Sequence, residues 1–246
     1  MLGIAFFFIL GIVIGSFLNS VIYRLTINES VANGRSRCFS CQHLLGFFDL
    51  VPLASFMWLS GRCRYCQAKI SWQYPMVELA TGLGFASLYS FFVGWQLAVG
   101  LVLLVFSLVV FVYDLRYYLV AEKVVWPIIL IMALVNLFVF KLDWSMLAFG
   151  AALIVLFFWL QIVVSGGRWL GWGDVLIGLW LGVSLGWPKV LIALVLAYWL
   201  GALVGLVLIA LGRKDFSSRI PFGPFLLLGL WGAWLFSQPL ITLLYG

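Results

Sequence analysis

Long apolar stretches alternate with short polar connections along nearly the whole chain. A run of about 20 apolar residues is long enough to cross the hydrocarbon core of a bilayer as a helix. The pattern therefore predicts an all-α, polytopic membrane protein with about eight transmembrane helices. The predicted spans are 2–22, 75–93, 97–113, 126–140, 145–164, 172–187, 189–211 and 222–241. Because the first span has no basic leading segment and no small-residue cleavage site, we expect a retained helix rather than a signal peptide.

The distribution of charge predicts how these spans are oriented. Only 9% of the residues are charged, and the chain has 14 Lys and Arg residues. Twelve of these lie in alternate polar loops, at 23–74, 114–125, 165–171 and 212–221. By the positive-inside rule these four loops face the cytoplasm and both termini lie on the opposite side. This orientation and attraction to anionic lipid account for the net charge of +6, so we expect the lipid bilayer and no nucleic acid as a partner.

The spans and loops divide the chain into three predicted parts: a first transmembrane helix at 1–22, a cytoplasmic loop domain at 23–74 and a transmembrane core at 75–246. All four cysteines lie in the loop domain, as two C-x-x-C pairs separated by 21 residues: Cys38, Cys41, Cys63 and Cys66. Such pairs suit a tetrahedral zinc site, and four thiolates leave no open position for catalysis, so a structural Zn²⁺ is predicted. Disulfides or redox pairs are the alternative, which a cytoplasmic location disfavours.

His43 is the chain's one histidine and lies two residues after Cys41. Because four cysteines already complete a tetrahedron, we expect His43 to be a surface residue or a hydrogen-bond donor near the ligands. A loop domain of this size buries little apolar surface, so a bound metal is a reasonable means of stabilising it.

Two aspartates lie at the ends of apolar spans. Asp114 closes the run 97–113, and Asp174 ends the tetrapeptide Gly171–Trp172–Gly173–Asp174. An ionisable group next to hydrocarbon is a functional hypothesis by default, and the predicted topology places both carboxylates on the cytoplasmic side. Two close carboxylates can share a proton and activate water, as in aspartic proteases, which indicates proteolysis at the membrane surface. The alternatives are an interfacial Asp114 paired with Arg116, and Asp174 as a helix N-cap.

Glu78 lies just inside the second predicted span. It could pair with a loop arginine such as Arg24, bond a polar group on a neighbouring helix, or belong to a site. Gly171 and Gly173, next to Asp174, would allow another chain to pass close to the backbone, as a bound substrate strand requires.

Five blocks of sequence occur in an order typical of one known family. They are Gly15–Asn19 with Val21–Leu25, the two cysteine pairs, Ile70–Leu79, the GxGD motif Gly171–Asp174, and Ile220–Phe225. Over essentially its whole length the chain resembles the type IV prepilin peptidases, which are bifunctional leader peptidases and N-methyltransferases of bacterial inner membranes.

The resemblance implies specific roles for residues of this chain. Asp114 and Asp174 would be the catalytic aspartates, and the four cysteines the zinc ligands. The enzyme would remove the short basic leader of prepilins or pseudopilins at a Gly–Phe-type junction on the cytoplasmic side. It would then methylate the new amino terminus with S-adenosylmethionine, which would bind near Glu78. Gly171, Gly173 and Gly223 would be sites of close substrate approach.

The chain also departs from the family pattern. Leu176 replaces a lysine often found two residues after the GxGD aspartate, and Ala121 replaces a proline common after the first aspartate. Both changes could alter the orientation of the aspartates or the docking of substrate. The rival hypotheses are a proton-relaying transporter or channel, a non-catalytic assembly factor of a pilus or secretion system, and a peptidase that lacks methyltransferase activity.

Overall fold

The computed structural model describes residues 1–30, 34–215 and 218–245, with side chains described as far as residue 236. Within these ranges the chain is helical and contains no strand. The helices are α1 (Leu2–Thr26), α2 (Ala54–Trp58), α3 (Gln73–Phe91), α4 (Gly94–Tyr117), α5 (Glu122–Leu134), α6 (Trp144–Ser165), α7 (Trp172–Leu185), α8 (Lys189–Ala210) and α9 (Gly223–Tyr245). A 3₁₀ turn at Phe47–Asp49 precedes α2, and a π-helical turn at Val135–Val139 extends α5.

The prediction of an all-α membrane protein is confirmed. Each predicted span overlaps one of the helices, and the short helix α2 is the one that the hydropathy pattern did not predict. Among the described residues, five helical segments are long and apolar enough to cross a membrane: α1, α4, α5 with its π turn, α6 and α8. Helix α7 and the first part of α9, Gly223–Phe236, are apolar but shorter.

The chain forms two compact units, Met1–Val109 and Val110–Gly246, with the division inside α4. This division does not coincide with the boundaries predicted after residues 22 and 74, and the three-part organisation stays a prediction.

In the first unit, α1 packs on α3 through small residues. A Cβ atom placed on Gly11 would lie 2.7 Å from the carbonyl oxygen of Thr81, and one on Gly15 would lie 2.7 Å from Cα of Glu78. A Cβ on Gly82 of α3 would lie 2.7 Å from Cγ1 of Ile12. Glycines therefore permit the two backbones to approach closely, which is a common means of holding helices together in lipid.

This close packing gives a stability prediction. The substitution Gly15→Ala forces a Cβ against the α3 backbone, so we expect it to lower the free energy of unfolding by about 1–3 kcal/mol. The matched control is Gly205→Ala in α8, where the nearest atom to the new Cβ is Cδ1 of Ile220 at 3.9 Å. Thermal unfolding in detergent should show a lower Tm for the first variant only. Equal Tm values for the two variants would contradict this account of the α1–α3 contact.

In the second unit, α7 packs against α5, α6, α8 and α9. Its glycines bring it close to α6: a Cβ on Gly182 would lie 2.5 Å from Cα of Ala151, and one on Gly178 would lie 2.7 Å from the ring of Phe158. At the other end of the helix, the buried Asn136 side chain donates hydrogen bonds to the carbonyl oxygens of Val183 and Ser184, at 2.7 and 3.0 Å. Helix α7 is thus held along its length, which positions the residues of its first turn.

Candidate active site and metal centre

Asp114 lies in the last turn of α4 and is almost completely buried, with 5% of its surface exposed. Its carboxylate faces Gly223, the first residue of α9, and interacts with the backbone of that glycine. A Cβ on Gly223 would lie only 2.4 Å from Oδ2 of Asp114 and 2.9 Å from Cδ1 of Ile177. Position 223 therefore has no room for a side chain while Asp114 keeps this orientation.

Asp174 is the third residue of α7, whose N-cap is Gly171. The backbone N–H of Gly171 donates a hydrogen bond to Oδ2 of Asp174 at 3.0 Å. Asp174 is thus not the N-cap that was considered as an alternative, although its carboxylate does satisfy one backbone N–H at the helix start. A carboxylate at this position is also favoured by the partial positive charge of the helix N-terminus.

The structure brings the two aspartates together within the second unit. Their carboxylates are close enough to interact electrostatically. Two carboxylates that share a poorly solvated site resist being ionised together, so such a pair can hold one proton between them. This arrangement can supply a base and an acid to the same reaction.

The three glycines predicted to admit substrate lie beside this pair. Gly171 binds Asp174, and Gly223 contacts Asp114. A Cβ on Gly173 would lie 2.4 Å from Cγ2 of Val120, in the segment after α4. The close approaches seen here are therefore made by the protein's own segments, and substrate approach at these glycines stays a prediction.

The four cysteines form a cluster in the first unit. Each pair lies in a tight turn of the same design: Cys38 N–H donates to the His43 carbonyl, and Cys63 N–H donates to the Ala68 carbonyl, both at 2.9 Å. Gln42 and Gln67 have left-handed backbones with φ of 58° and close the two turns with bonds to the Cys38 and Cys63 carbonyls. All four Sγ atoms lie within 4.8 Å of one another, and those of Cys38 and Cys66 are 3.8 Å apart.

These distances can be compared with those of a metal site. A tetrahedral zinc site with Zn–S bonds of about 2.3 Å requires sulfur atoms about 3.8 Å apart. The four sulfur atoms could therefore hold a metal ion with little movement. Burial opposes ionisation of Cys38, but hydrogen bonds from the backbones of Cys41 and Ser40 lower the pKa of this thiol to about 7. The backbone of Ala68 favours the Cys66 thiolate, but burial and the three neighbouring thiols raise the pKa of Cys66 to about 11.

A hydrogen-bond network joins the second cysteine turn to the 3₁₀ turn that follows the first. The Asp49 carboxylate accepts from Arg64 Nε at 2.7 Å, from the Gly46 N–H at 3.0 Å and from the Tyr65 hydroxyl at 3.3 Å. Burial opposes ionisation of Asp49, but the bonds from Gly46 and Arg64 lower its pKa below the usual value. His43 stacks on Tyr65 with ring centroids 3.7 Å apart, outside the set of four sulfur atoms.

Glu78 is buried in the first unit, at the α1–α3 contact. Its Oε2 accepts a hydrogen bond from the Leu53 N–H at 2.8 Å, and the carboxylate also interacts with the Ser16 side chain. Among the described residues no ion pair joins Glu78 to Arg24, whose guanidinium donates to the carbonyl oxygens of Ser30 and Gly34. Of the partners suggested for Glu78, the structure shows the polar group on a neighbouring helix, which is Ser16 of α1. Glu78 also binds the N–H of Leu53, the residue that precedes α2.

Sequence reasoning missed several polar residues inside the apolar spans. Asn19 of α1 donates to the Tyr74 carbonyl at 3.1 Å, and Gln161 of α6 bonds Tyr198 of α8. The signal that could have identified them is the one used for the aspartates: a polar side chain in a membrane span needs a partner or a function.

A helical membrane protein with a buried aspartate close to a half-buried one, and with a four-cysteine cluster, has the features expected of a membrane peptidase. Comparison with known proteins identifies the family. Residues 9–92 match the bacterial peptidase A24 N-terminal domain, and residues 101–206 match the type IV leader peptidase family. No solved structure matches the chain.

Relatives named prepilin leader peptidase/N-methyltransferase match nearly the whole chain. The protein of Stutzerimonas stutzeri is 30% identical over 94% of this chain and 89% of its own length. That of Aeromonas hydrophila is 32% identical, covering 94% and 90%. That of Pectobacterium carotovorum subsp. carotovorum is 33% identical, covering 90% and 88%. The chain therefore belongs to the type IV leader peptidase family, as the resemblance of its five sequence blocks predicted.

Proposed function

We propose that this protein is a membrane-embedded aspartyl endopeptidase that removes the short basic leader of type IV prepilins or pseudopilins. It acts in the bacterial inner membrane with its active site facing the cytoplasm, as the charge of the loops predicts. The observation that carries the proposal is the buried Asp114 in electrostatic contact with Asp174. We propose these two side chains as the catalytic residues.

The proposed reaction divides acid and base work between the two carboxylates. The ionised member accepts a proton from water, which attacks the scissile carbonyl carbon, and the protonated member donates to the carbonyl oxygen. The C–N bond then breaks as the member that took the proton from water gives it to the leaving nitrogen, and the other member takes its proton back from the hydroxyl of the intermediate. The Gly171 N–H bonded to Asp174 and the Gly223 backbone facing Asp114 hold the carboxylates in place. The substrate enters from the side, with its apolar helix in the membrane and its leader junction unwound near Gly171, Gly173 and Gly223.

We propose that the cysteine cluster binds one structural Zn²⁺ in the cytoplasmic loop domain. The donor set and the sulfur separations support zinc, and four thiolate ligands leave no position for catalytic water. The metal's role would be to hold the two cysteine turns together.

We propose that the second activity, methylation of the new amino terminus by S-adenosylmethionine, follows leader removal. The support is the name of the relatives, which includes N-methyltransferase. At the proposed place for this cofactor, near Glu78, the carboxylate accepts a hydrogen bond from Leu53 and interacts with Ser16. The residues described around it do not form a recognisable nucleotide site.

Mass spectrometry of a prepilin-like substrate tests the two activities together. The substrate is expressed with the intact protein or with the double variant Asp114→Asn/Asp174→Asn. We expect leader loss and one added methyl group with the intact protein, and the full-length substrate with the variant. Leader loss without methylation would indicate a peptidase alone. Cleavage by both proteins would exclude the aspartate pair, and cleavage by neither would favour a non-catalytic assembly factor.

A further inference from the structure

Gln161 of α6 and Tyr198 of α8 form a polar pair in the second unit, in the interior of two predominantly apolar helices. Gln161 Nε2 lies 2.8 Å from the Tyr198 hydroxyl, and that hydroxyl lies 2.9 Å from Gln161 Oε1. Both helices are apolar enough to cross a membrane. The pair is exposed on the surface of this unit, where membrane-spanning helices meet lipid, and a polar pair facing lipid is a functional hypothesis.

The pair lies next to the proposed active site. The Tyr198 hydroxyl is close enough to the Asp174 carboxylate to interact with it electrostatically. The Tyr198 ring packs on Phe222, the residue before Gly223, with centroids 4.9 Å apart. Tyr198 thus lies near the start of α9, where Gly223 contacts Asp114, and its hydroxyl hydrogen-bonds Gln161. This hydroxyl and the Gln161 amide can exchange their mutual bonds for bonds to a ligand.

A peptide cleaved at this place creates a specific need. The scissile bond must be unwound to reach the carboxylates, which exposes backbone N–H and C=O groups in a region with little water. Each such group costs free energy unless it finds a partner. A glutamine amide has two N–H donors and a carbonyl acceptor, and a tyrosine hydroxyl can both donate and accept a hydrogen bond. Together they can bond an N–H and a C=O of one extended strand.

The surroundings of Tyr198 also fit a substrate of this kind. An open cavity of about 300 Å³ lies along α6 and α8 with Tyr198 in its wall. Its other lining residues are all apolar: Leu153, Phe157, Leu191, Leu194 and Val195. Because Tyr198 lines this cavity and its ring packs on Phe222 beside the proposed active site, a strand bonded to the pair would have an apolar side chain within reach of the cavity.

We infer that the Gln161–Tyr198 pair is a substrate-binding element, which hydrogen-bonds the unwound backbone of the prepilin-type substrate beside Asp174, with an apolar substrate side chain in the adjoining cavity. This inference rests on the proposed peptidase function. It assigns binding rather than proton transfer to the pair, so the expected effect is on substrate affinity.

The test measures kcat and KM for cleavage of a purified prepilin-like substrate in detergent. The variants are Gln161→Met and Tyr198→Phe, which keep size and remove hydrogen-bonding groups. We expect KM to rise about 10-fold or more in each, because a buried substrate group loses its partner, while kcat changes less than about threefold. Because the two side chains act as one unit, KM in the double variant should rise by less than the product of the two single increases.

Matched controls separate binding from folding. Tyr89→Phe removes a hydroxyl from α3 and Gln96→Met replaces an exposed glutamine at the start of α4, both in the first unit. These variants should keep the KM of the intact protein. If cleavage still depends on the aspartates, two results would overturn the inference: an unchanged KM in both Gln161→Met and Tyr198→Phe, or a decrease in kcat with no change in KM. Failure of the intact protein to cleave would overturn the proposed function and this inference with it.

Discussion

Replacing either Asp114 or Asp174 with asparagine is expected to lower kcat/KM for leader cleavage by about 10⁴-fold. Asparagine keeps the size of the side chain but can neither accept nor deliver the shared proton, and general acid–base catalysis contributes about 10²–10⁴-fold for each transfer. The two carboxylates act together on one shared proton. The kcat/KM of the double variant should therefore be within a few fold of that of the less active single variant. Steady-state cleavage of a purified substrate measures all three.

Asp143 supplies the matched control for these substitutions. Its side chain caps α6 by accepting a hydrogen bond from the Ser145 N–H at 3.1 Å. Asparagine is an equally good N-cap, so Asp143→Asn should leave both stability and cleavage near those of the intact protein. Loss of activity in all three aspartate variants would indicate a general sensitivity to lost charge. Retained activity in Asp114→Asn or Asp174→Asn would remove that residue from the proposed mechanism.

The hydropathy pattern predicted the spans because burial in lipid requires apolar residues, but it did not place the helix ends. The fourth span was predicted to begin at residue 126, whereas α5 begins at Glu122. Its first turn contains Glu122 and Lys123, which a helix tolerates at a membrane surface but which a hydropathy window rejects. Helix α2 was missed for a related reason, because five residues in a polar loop give too short a pattern.

The proximity of Asp114 and Asp174 could be anticipated because topology placed both at the same membrane side. The backbone groups that contact these two carboxylates could not be anticipated, because tertiary packing decides which backbone segment faces each of them. Nothing local in the sequence indicates that Gly223 contacts Asp114, or that Gln161 reaches Tyr198 across 37 residues. Glu78 shows the same limit: the sequence left open an arginine, a polar group on a neighbouring helix or a site role, and only the packing shows that Leu53 and Ser16 are its partners.

The proposed zinc site gives the second large expected effect, because the segment that carries the four cysteines has little else to hold it together. Across the described residues 34–72, Cys63 is the one residue that is buried. A structural zinc ion contributes about 10–16 kcal/mol of apparent binding free energy in small metal-dependent modules, far more than this segment can gain from apolar burial. Removal of zinc should therefore unfold the loop domain rather than merely loosen it.

The substitution Cys63→Ser removes one of the four ligands and is expected to abolish stoichiometric zinc binding. Elemental analysis of the purified protein should give about one zinc ion per chain before substitution and far less after it, and trypsin should then cut at loop residues such as Arg62 and Lys69 many times faster. The control is His43→Ala, because His43 stacks on Tyr65 and lies outside the four sulfur ligands. Zinc loss in the His43 variant would show that the histidine is a ligand. A four-cysteine site that loses its one buried ligand must bind zinc more weakly. Normal zinc content and normal resistance to trypsin in Cys63→Ser would therefore show that the metal does not hold this loop.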